Sequence, residues 1–371
     1  MLTELTRALN GRPTYLFFTV TSRCNAFCDF CWNWENVQDA GKFARPGRPS
    51  KRAELTLDEI DRFTRKLPPM LLVDLFGGEP FLREDLAQVI ALFVRNARTQ
   101  YISIPTNGFY TDKILSDIGS SLRAFPDTGF RLYLSIDGPA EVHNPLRKLK
   151  NGYENAVATA RGLAALRAEH PNLSVSCNMN YNRVTQHRMR EFVGEVMSWQ
   201  LFDSIAVDLV RGEPVDPEML LADQERYREI QEMIRSYRLT SNQPFSPLHK
   251  AIEQKTSTVV QRSLLSPERR VFNCFAGKKL LLLTDTGDVF PCEHLLKTPL
   301  GNIREHDYDL EALLRQEQAK AIRKDIVDRK CNCRWECAIN TSNIFDIRNY
   351  PDLIRRTAVN ILRHKLDPDA P

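Results

Sequence analysis

The chain has 371 residues, of which 42% are apolar and 26% charged, with Lys and Arg outnumbering Asp and Glu by 51 to 47. That length suits one large globular domain with a smaller one beside it. The slight net charge of +4 excludes a general nucleic-acid binder, no run approaches the roughly 18 apolar residues of a membrane span, and the opening residues lack the parts of a signal peptide.

In chain order, strand-like apolar runs are expected at 15–20, 71–76, 101–105, 130–136, 173–179 and 204–209. Segments with helical period lie between them. The first, over 55–67, carries Thr56 and Glu59 at capping-box spacing, with Ile60, Phe63 and Leu67 on one face. Others follow over 86–94, 153–166 and 188–199. Strands and helices alternating in this way predict right-handed βαβ units on a parallel sheet. Six units are too few for a closed eight-stranded barrel, so the expected fold is α/β, a partial parallel (βα)6 barrel. The segment 42–52, basic and rich in Pro and Gly, reads as a solvated loop, or more sharply as a flap over an anionic substrate.

Beyond residue 212 the chain is polar and helical up to about 270. Two short strands, 279–284 and 288–290, then flank Thr286-Gly287, a hairpin turn. A helix around 353–362 closes the pattern. The expected organisation is therefore a core over 1–212, a helical linker over 213–270, a small second domain over 271–345 and a C-terminal helix over 346–371.

The nine cysteines are clustered, and with no sign of secretion the expected setting is the cytoplasm, where structural disulfides are rare. Clustered cysteines there point to metal. Cys24, Cys28 and Cys31 supply three thiolates from one loop, at the C-terminal end of the first strand. Gly77-Gly78-Glu79-Pro80, Thr106-Asn107-Gly108 and Asp137-Gly138 follow the next three strands. Active sites of such folds sit at the C-terminal ends of the strands, so four signatures converge on one face. Three thiolates with no fourth Cys or His nearby suit a [4Fe–4S] cluster with one open iron; a structural zinc wants four protein ligands.

The spacing C-x3-C-x2-C, with Phe30 before the last cysteine, resembles the hallmark of the radical S-adenosylmethionine (SAM) superfamily, and the likeness spans about 14–212. The resemblance implies that the open iron chelates SAM. It also implies that an electron, supplied by a flavodoxin- or ferredoxin-type donor, cleaves SAM to a 5′-deoxyadenosyl radical that takes hydrogen from a substrate. By the same likeness Gly77, Gly78 and Glu79 hold the methionine amino group, Ser135 and Asp137 contact the SAM ribose or carboxylate, and Thr106 and Asn107 lie near the methionine end. Phe30 packs on adenine, and Asn178 and Arg211 are further SAM contacts.

Cys274, Gly287 and Cys292 are spaced like the opening of the SPASM and twitch domains appended to such enzymes. Only five cysteines fall in this region, and Cys331, Cys333 and Cys337 depart from the fuller pattern. A twitch-like domain with one auxiliary [4Fe–4S] cluster is implied, held by Cys274, Cys292, Cys337 and either Cys331 or Cys333; a structural zinc at the same thiols is the alternative. Cys177 reads as core filler, or as a hydrogen donor to a substrate radical. Strand parity places it opposite Asn178.

The expected function is hydrogen abstraction from a small metabolite such as a sugar, nucleoside or natural-product intermediate, for an oxidation or rearrangement. The short stretch before Cys24 leaves no room for a peptide-recognition domain and favours that substrate class. A peptide maturase acting on a ribosomal precursor is the alternative. From another class, a non-catalytic iron–sulfur or zinc protein for electron transfer or scaffolding stays open, although it would have no use for SAM ligands.

Overall fold

In the computed structural model, residues 11–35, 37–39, 53–237, 246–266, 269–328, 333 and 335–366 are described; the basic segment 42–52 and Cys331 lie outside them. Strands β1 (Tyr15–Thr21), β2 (Leu72–Gly77), β3 (Tyr101–Thr106), β4 (Gly129–Ser135), β5 (Leu173–Tyr181) and β6 (Ser204–Leu209) lie side by side in that order, every adjacent pair parallel. The crossovers carry α1 (Leu57–Arg65), α2 (Leu86–Asn96), α3 (Thr111–Ala124), α4 (Ala140–Arg147) with α5 (Gly152–Glu169), and α6 (Met189–Trp199). After β6 comes α7 (Gln224–Tyr237), whose Tyr227, Ile230 and Ile234 are buried in the main core. The expected parallel α/β architecture is what the chain forms. The helix α3 had no expectation in the sequence: Gly119 and the serines beside it dilute its apolar stripe, yet Ile114, Ile118 and Leu122 are buried.

The rest of the chain forms α8 (Ser246–Leu265), strands β7 (Leu280–Leu283), β8 (Asp288–Phe290) and β9 (Gly301–Asn302), then α9 (Leu310–Leu314), α10 (Glu317–Asp328), α11 (Glu336–Phe345) and α12 (Tyr350–Leu366). The expected hairpin is there, with Val289 opposite Leu283 and Gly287 at φ +86° in its turn, a conformation that favours glycine. Its setting is new. β7 pairs in parallel with β1, Tyr15 opposite Leu280 through Phe18 opposite Leu283. The C-terminal strands therefore extend the sheet of the core in the order β9-β8-β7-β1-β2-β3-β4-β5-β6.

This arrangement buries β1 on both faces, as interior parallel strands require. Leu16, Phe18 and Val20 point into the main core with the helices, while Phe17 joins a second core with Phe76, Leu280, Leu282, Phe290 and Trp335. The four leucines of β7 divide in the same way, Leu281 and Leu283 to the first core and Leu280 and Leu282 to the second.

The capping box at the start of α1 is formed as expected: the Glu59 N–H donates to Thr56 Oγ1 (3.3 Å), and the Thr56 N–H donates to Glu59 Oε2 (2.9 Å). Glu59 also accepts from Arg304 Nε (2.6 Å), Arg304 Nη2 (2.9 Å) and Tyr308 (2.8 Å). The same guanidinium donates to the carbonyls of Ala53 and Thr286, each at 3.1 Å. The hydrogen bonds from Arg304 hold the Glu59 carboxyl down at about 2. A lowered carboxylate pKa means stability that is present above pH about 4.5 and is lost as pH falls towards 2. Arg304→Met is expected to cost about 1–3 kcal/mol at pH 7. Thermal melts from pH 6 to 2.5 should then show a flatter acid decline in the variant than in the wild type.

Candidate active site

The cavity at the C-terminal ends of the parallel strands measures about 250 Å³. Cys24, Cys28 and Cys31 line it, none of them in a disulfide. Their loop leaves β1 after an irregularity between Thr19 and Thr21. It is tied down by backbone bonds from Phe27 N to Arg147 O (2.9 Å) and from Asp29 N to Leu146 O (3.2 Å). The Ala26 N–H donates to Cys24 Sγ (3.4 Å). Burial, then the neighbouring Cys28, pushes the Cys24 thiol up to about 12; a bound cation is what would favour its thiolate.

Gly77 and Gly78 have a steric role in this arrangement. A Cβ on Gly78 would stand 2.1 Å from the Arg23 carbonyl oxygen and 2.9 Å from Cys24 Cβ; one on Gly77, at φ +148°, would stand 2.2 Å from the Thr21 oxygen. Their bareness lets the end of β2 bond directly to the cysteine loop, Gly78 N to Thr21 O (3.0 Å) and Glu79 N to Arg23 O (2.8 Å). Glu79 is 1% exposed. It accepts from Thr106 Oγ1 (2.8 Å), the Asn107 N–H (2.8 Å) and the Phe81 N–H (3.2 Å). Burial pushes its carboxyl up to about 7, so a cationic partner is what this carboxylate lacks. Thr106 is spent on Glu79, and the Asn107 amide donates to Asn25 Oδ1 (2.8 Å).

Asp137 is buried with both oxygens engaged, by Arg147 Nε (2.6 Å) and by the Asn180 N–H (2.8 Å). Its own N–H donates to Nδ1 of His143 (3.1 Å). Burial, then the nearby Arg147, pushes His143 down to about 4, leaving it neutral at pH 7. Arg147 lines the cavity, its guanidinium carbon 5.2 Å from the centre of the Phe30 ring. Burial opposes its charge, but Asp137 and then Cys28 outweigh that and hold the guanidinium protonated. Sequence reasoning missed Arg147 as a site residue; the signal was its spacing of ten positions from Asp137.

Ser135 and Asn178 face each other across β4 and β5 and both line the cavity. The Oδ1 of Asn178 is a buried acceptor with no partner among the described residues. Arg211 also lines it, and Glu293 and Asp208 hold its guanidinium charged against the pull of burial. Trp32, Asn180 and Asp208 complete the wall and were not anticipated. Thus Phe30, Gly77, Gly78, Glu79, Thr106, Asn107, Ser135, Asp137, Asn178 and Arg211 all border one cavity. Cys177 does not. It is fully buried in the main core, in register with Leu134 and Ile205, because alternate residues of β5 face opposite sides of the sheet.

Four later cysteines gather elsewhere. Cys292 lies in the second core, with Cys274, Cys333 and Cys337 packed against it. The Ala276 N–H donates to Cys274 Sγ (3.5 Å), repeating the geometry at Cys24. Burial, then Glu293, pushes the Cys337 thiol well up. Among the described residues no three Cys, His, Asp or Glu side chains, in either group, converge on a position for a single metal ion. The donor chemistry fits sulfur-bridged iron: soft thiols gathered in threes and fours, with backbone N–H groups aimed at their sulfurs. At the cavity, Gly78→Ala is expected to displace the cysteine loop and cost several kcal/mol. A lowered Tm, together with iron lost from the first site after anaerobic reconstitution, would check this.

The family model of the radical SAM superfamily matches residues 18–193, and that of an iron–sulfur cluster-binding domain, SPASM, matches 274–338. A GTP 3′,8-cyclase of Klebsiella pneumoniae (strain 342) is 33% identical over 111 residues, 29% of this chain and 31% of the cyclase. The chain thus spans under a third of that relative's length. In fold it is similar to native anSMEcpe with bound AdoMet, with a TM-score of 0.57 at 16% identity, over 94% of this chain and 100% of that one. It is also similar to Streptococcus suis SuiB, with a TM-score of 0.55 at 14% identity, over 87% of this chain and 71% of that one. The chain thus carries a radical SAM domain, of the kind that takes a [4Fe–4S] cluster and SAM, followed by a SPASM iron–sulfur cluster-binding domain, and it is an enzyme.

Proposed function

We propose that Cys24, Cys28 and Cys31 hold the [4Fe–4S] cluster at whose open iron SAM binds, and that the enzyme abstracts hydrogen from a small metabolite for an oxidation or rearrangement. The observation that carries this reading is the convergence of those three thiols with Glu79, Asn178, Arg147 and Arg211 on one cavity. When bound, the cluster and SAM supply a carbon-centred radical able to break a C–H bond. The protein's part is placement. Glu79, already fixed by three hydrogen bonds, offers an anionic seat for the methionine ammonium. A guanidinium, Arg147 or Arg211, stands ready for the carboxylate. Phe30 and the apolar rim keep water from the reacting centre. Asp137 acts by positioning, since both its oxygens are taken.

We assign Cys274, Cys292, Cys333 and Cys337, which share one core, to an auxiliary cluster; Cys331 lies outside the described residues. Fully ligated, that cluster would carry electrons from an oxidised substrate. A flavodoxin- or ferredoxin-type donor and a cytoplasmic setting complete the proposal. The stretch of likeness to a GTP 3′,8-cyclase supports a small-molecule substrate. A second reading, a precursor peptide, draws on the likeness in fold to SuiB bound to its precursor peptide, at a TM-score of 0.56.

Anaerobic reconstitution with iron counting tests the ligand assignment. The wild type should hold roughly eight irons and a Cys24→Ala/Cys28→Ala/Cys31→Ala variant about four. The variant should also stop forming 5′-deoxyadenosine from SAM under dithionite. Retention of all its iron would sink the assignment, and a wild type with only about four irons would remove the auxiliary cluster.

A further inference from the structure

We infer that the indole N–H of Trp335 donates a hydrogen bond to a sulfur of the auxiliary cluster and thereby raises its reduction potential, an inference that rests on the ligand assignment proposed above. Trp335 is 1% exposed and among the largest fully buried side chains. It stands between Cys333 and Cys337 in the chain, and its ring belongs to the apolar core against which Cys274, Cys292, Cys333 and Cys337 pack. The ring is fixed by a tilted contact with Phe17, centroids 5.4 Å apart, and an edge contact with His294 at 6.0 Å. Its Nε1 nevertheless has no acceptor among the described residues.

A buried donor left unpaired is costly, and phenylalanine would fill the same space without that cost. The apolar side of the ring is the core in which the thiols of Cys274, Cys292, Cys333 and Cys337 gather. The acceptors that belong in this core are sulfurs. Hydrogen bonds to the sulfurs of an iron–sulfur cluster stabilise its more negative, reduced form and so tune its potential. Trp335 is thus a tuning residue outside the substrate cavity, which it does not line.

The test uses the full-length, anaerobically reconstituted protein with Trp335→Phe, which keeps an aromatic filler and deletes the donor. In a redox titration followed by EPR, the auxiliary cluster should shift to a more negative potential, with the SAM-binding cluster unmoved and the iron count of the wild type kept. Full iron with no shift would overturn the inference and leave the ligand assignment standing. A wild type lacking auxiliary iron would overturn both. If Trp335→Phe does not fold, Trp32→Phe labelled with 15N-indole removes the other tryptophan packed on this core. Pulsed EPR of the reduced auxiliary cluster should then show a 15N coupling, and its absence would equally overturn the inference.

Discussion

Strand β1 is paired in parallel on both edges, to β2 and to β7, and almost every other feature of the molecule hangs from that constraint. A parallel strand with neighbours on both sides must bury both faces, so its alternate residues feed two separate cores. The first lies under the crossover helices and holds the sheet in shape. The second gathers Phe17, Phe76 and Trp335 with Cys274, Cys292, Cys333 and Cys337. The C-terminal exit of the same strand launches the loop of Cys24, Cys28 and Cys31. Ser22, at that exit, donates from its N–H (2.9 Å) and its hydroxyl (2.5 Å) to Asp285 in the β7–β8 turn. One strand therefore sets the distance between the two groups of thiols.

The charges around the cavity follow a common logic. Buried ions are expensive unless paired, and one pair here is made across elements. Asp137 from the end of β4 holds Arg147 from the end of α4, and the charges of Glu293, beyond β8, and Asp208 offset the burial of Arg211 beyond β6. Glu79 differs: it receives three neutral donors and no cation in hydrogen bonding, and burial leaves its carboxyl raised. A cavity with a carboxylate that lacks a hydrogen-bonded cation on one wall and guanidinium groups on others would suit a zwitterion. That is the character of the amino-acid end of SAM.

The glycines show how chemistry and packing share residues. Gly77-Gly78 was expected through its resemblance to a SAM-binding motif, and the structure adds a steric reason: two carbonyl oxygens sit where side chains would begin. Glu79 is consequently locked in register with the cysteine loop by its own backbone. Thr106 and Asn107 likewise border the cavity while their polar groups serve Glu79 and Asn25. Being near a site and touching its ligand are different properties, and motif spacing reports only the first.

Local chemistry in the sequence by itself determined the six parallel strands, the capping box of α1, the β7–β8 hairpin and the two groups of cysteines. Each rests on neighbours within a few positions: runs of buried residues, a Thr–Glu pair, a turn glycine, thiols on one loop. Even the separation of Cys177 from the cavity could be read, since strand parity is a local rule. Tertiary structure alone decided that β7 joins β1, that Arg304 reaches Glu59, that Arg147 is the partner of Asp137, and that α3 packs despite its weak stripe. Those contacts join segments up to more than 200 positions apart, and they form because burying the second face of β1 and pairing enclosed charges lowers the free energy of the whole chain. For β7 with β1 and for Arg304 with Glu59 no short window of sequence contains both partners, so only the folded chain could disclose them; Asp137 and Arg147 stand ten positions apart, and there the fold decided only that the pair is made.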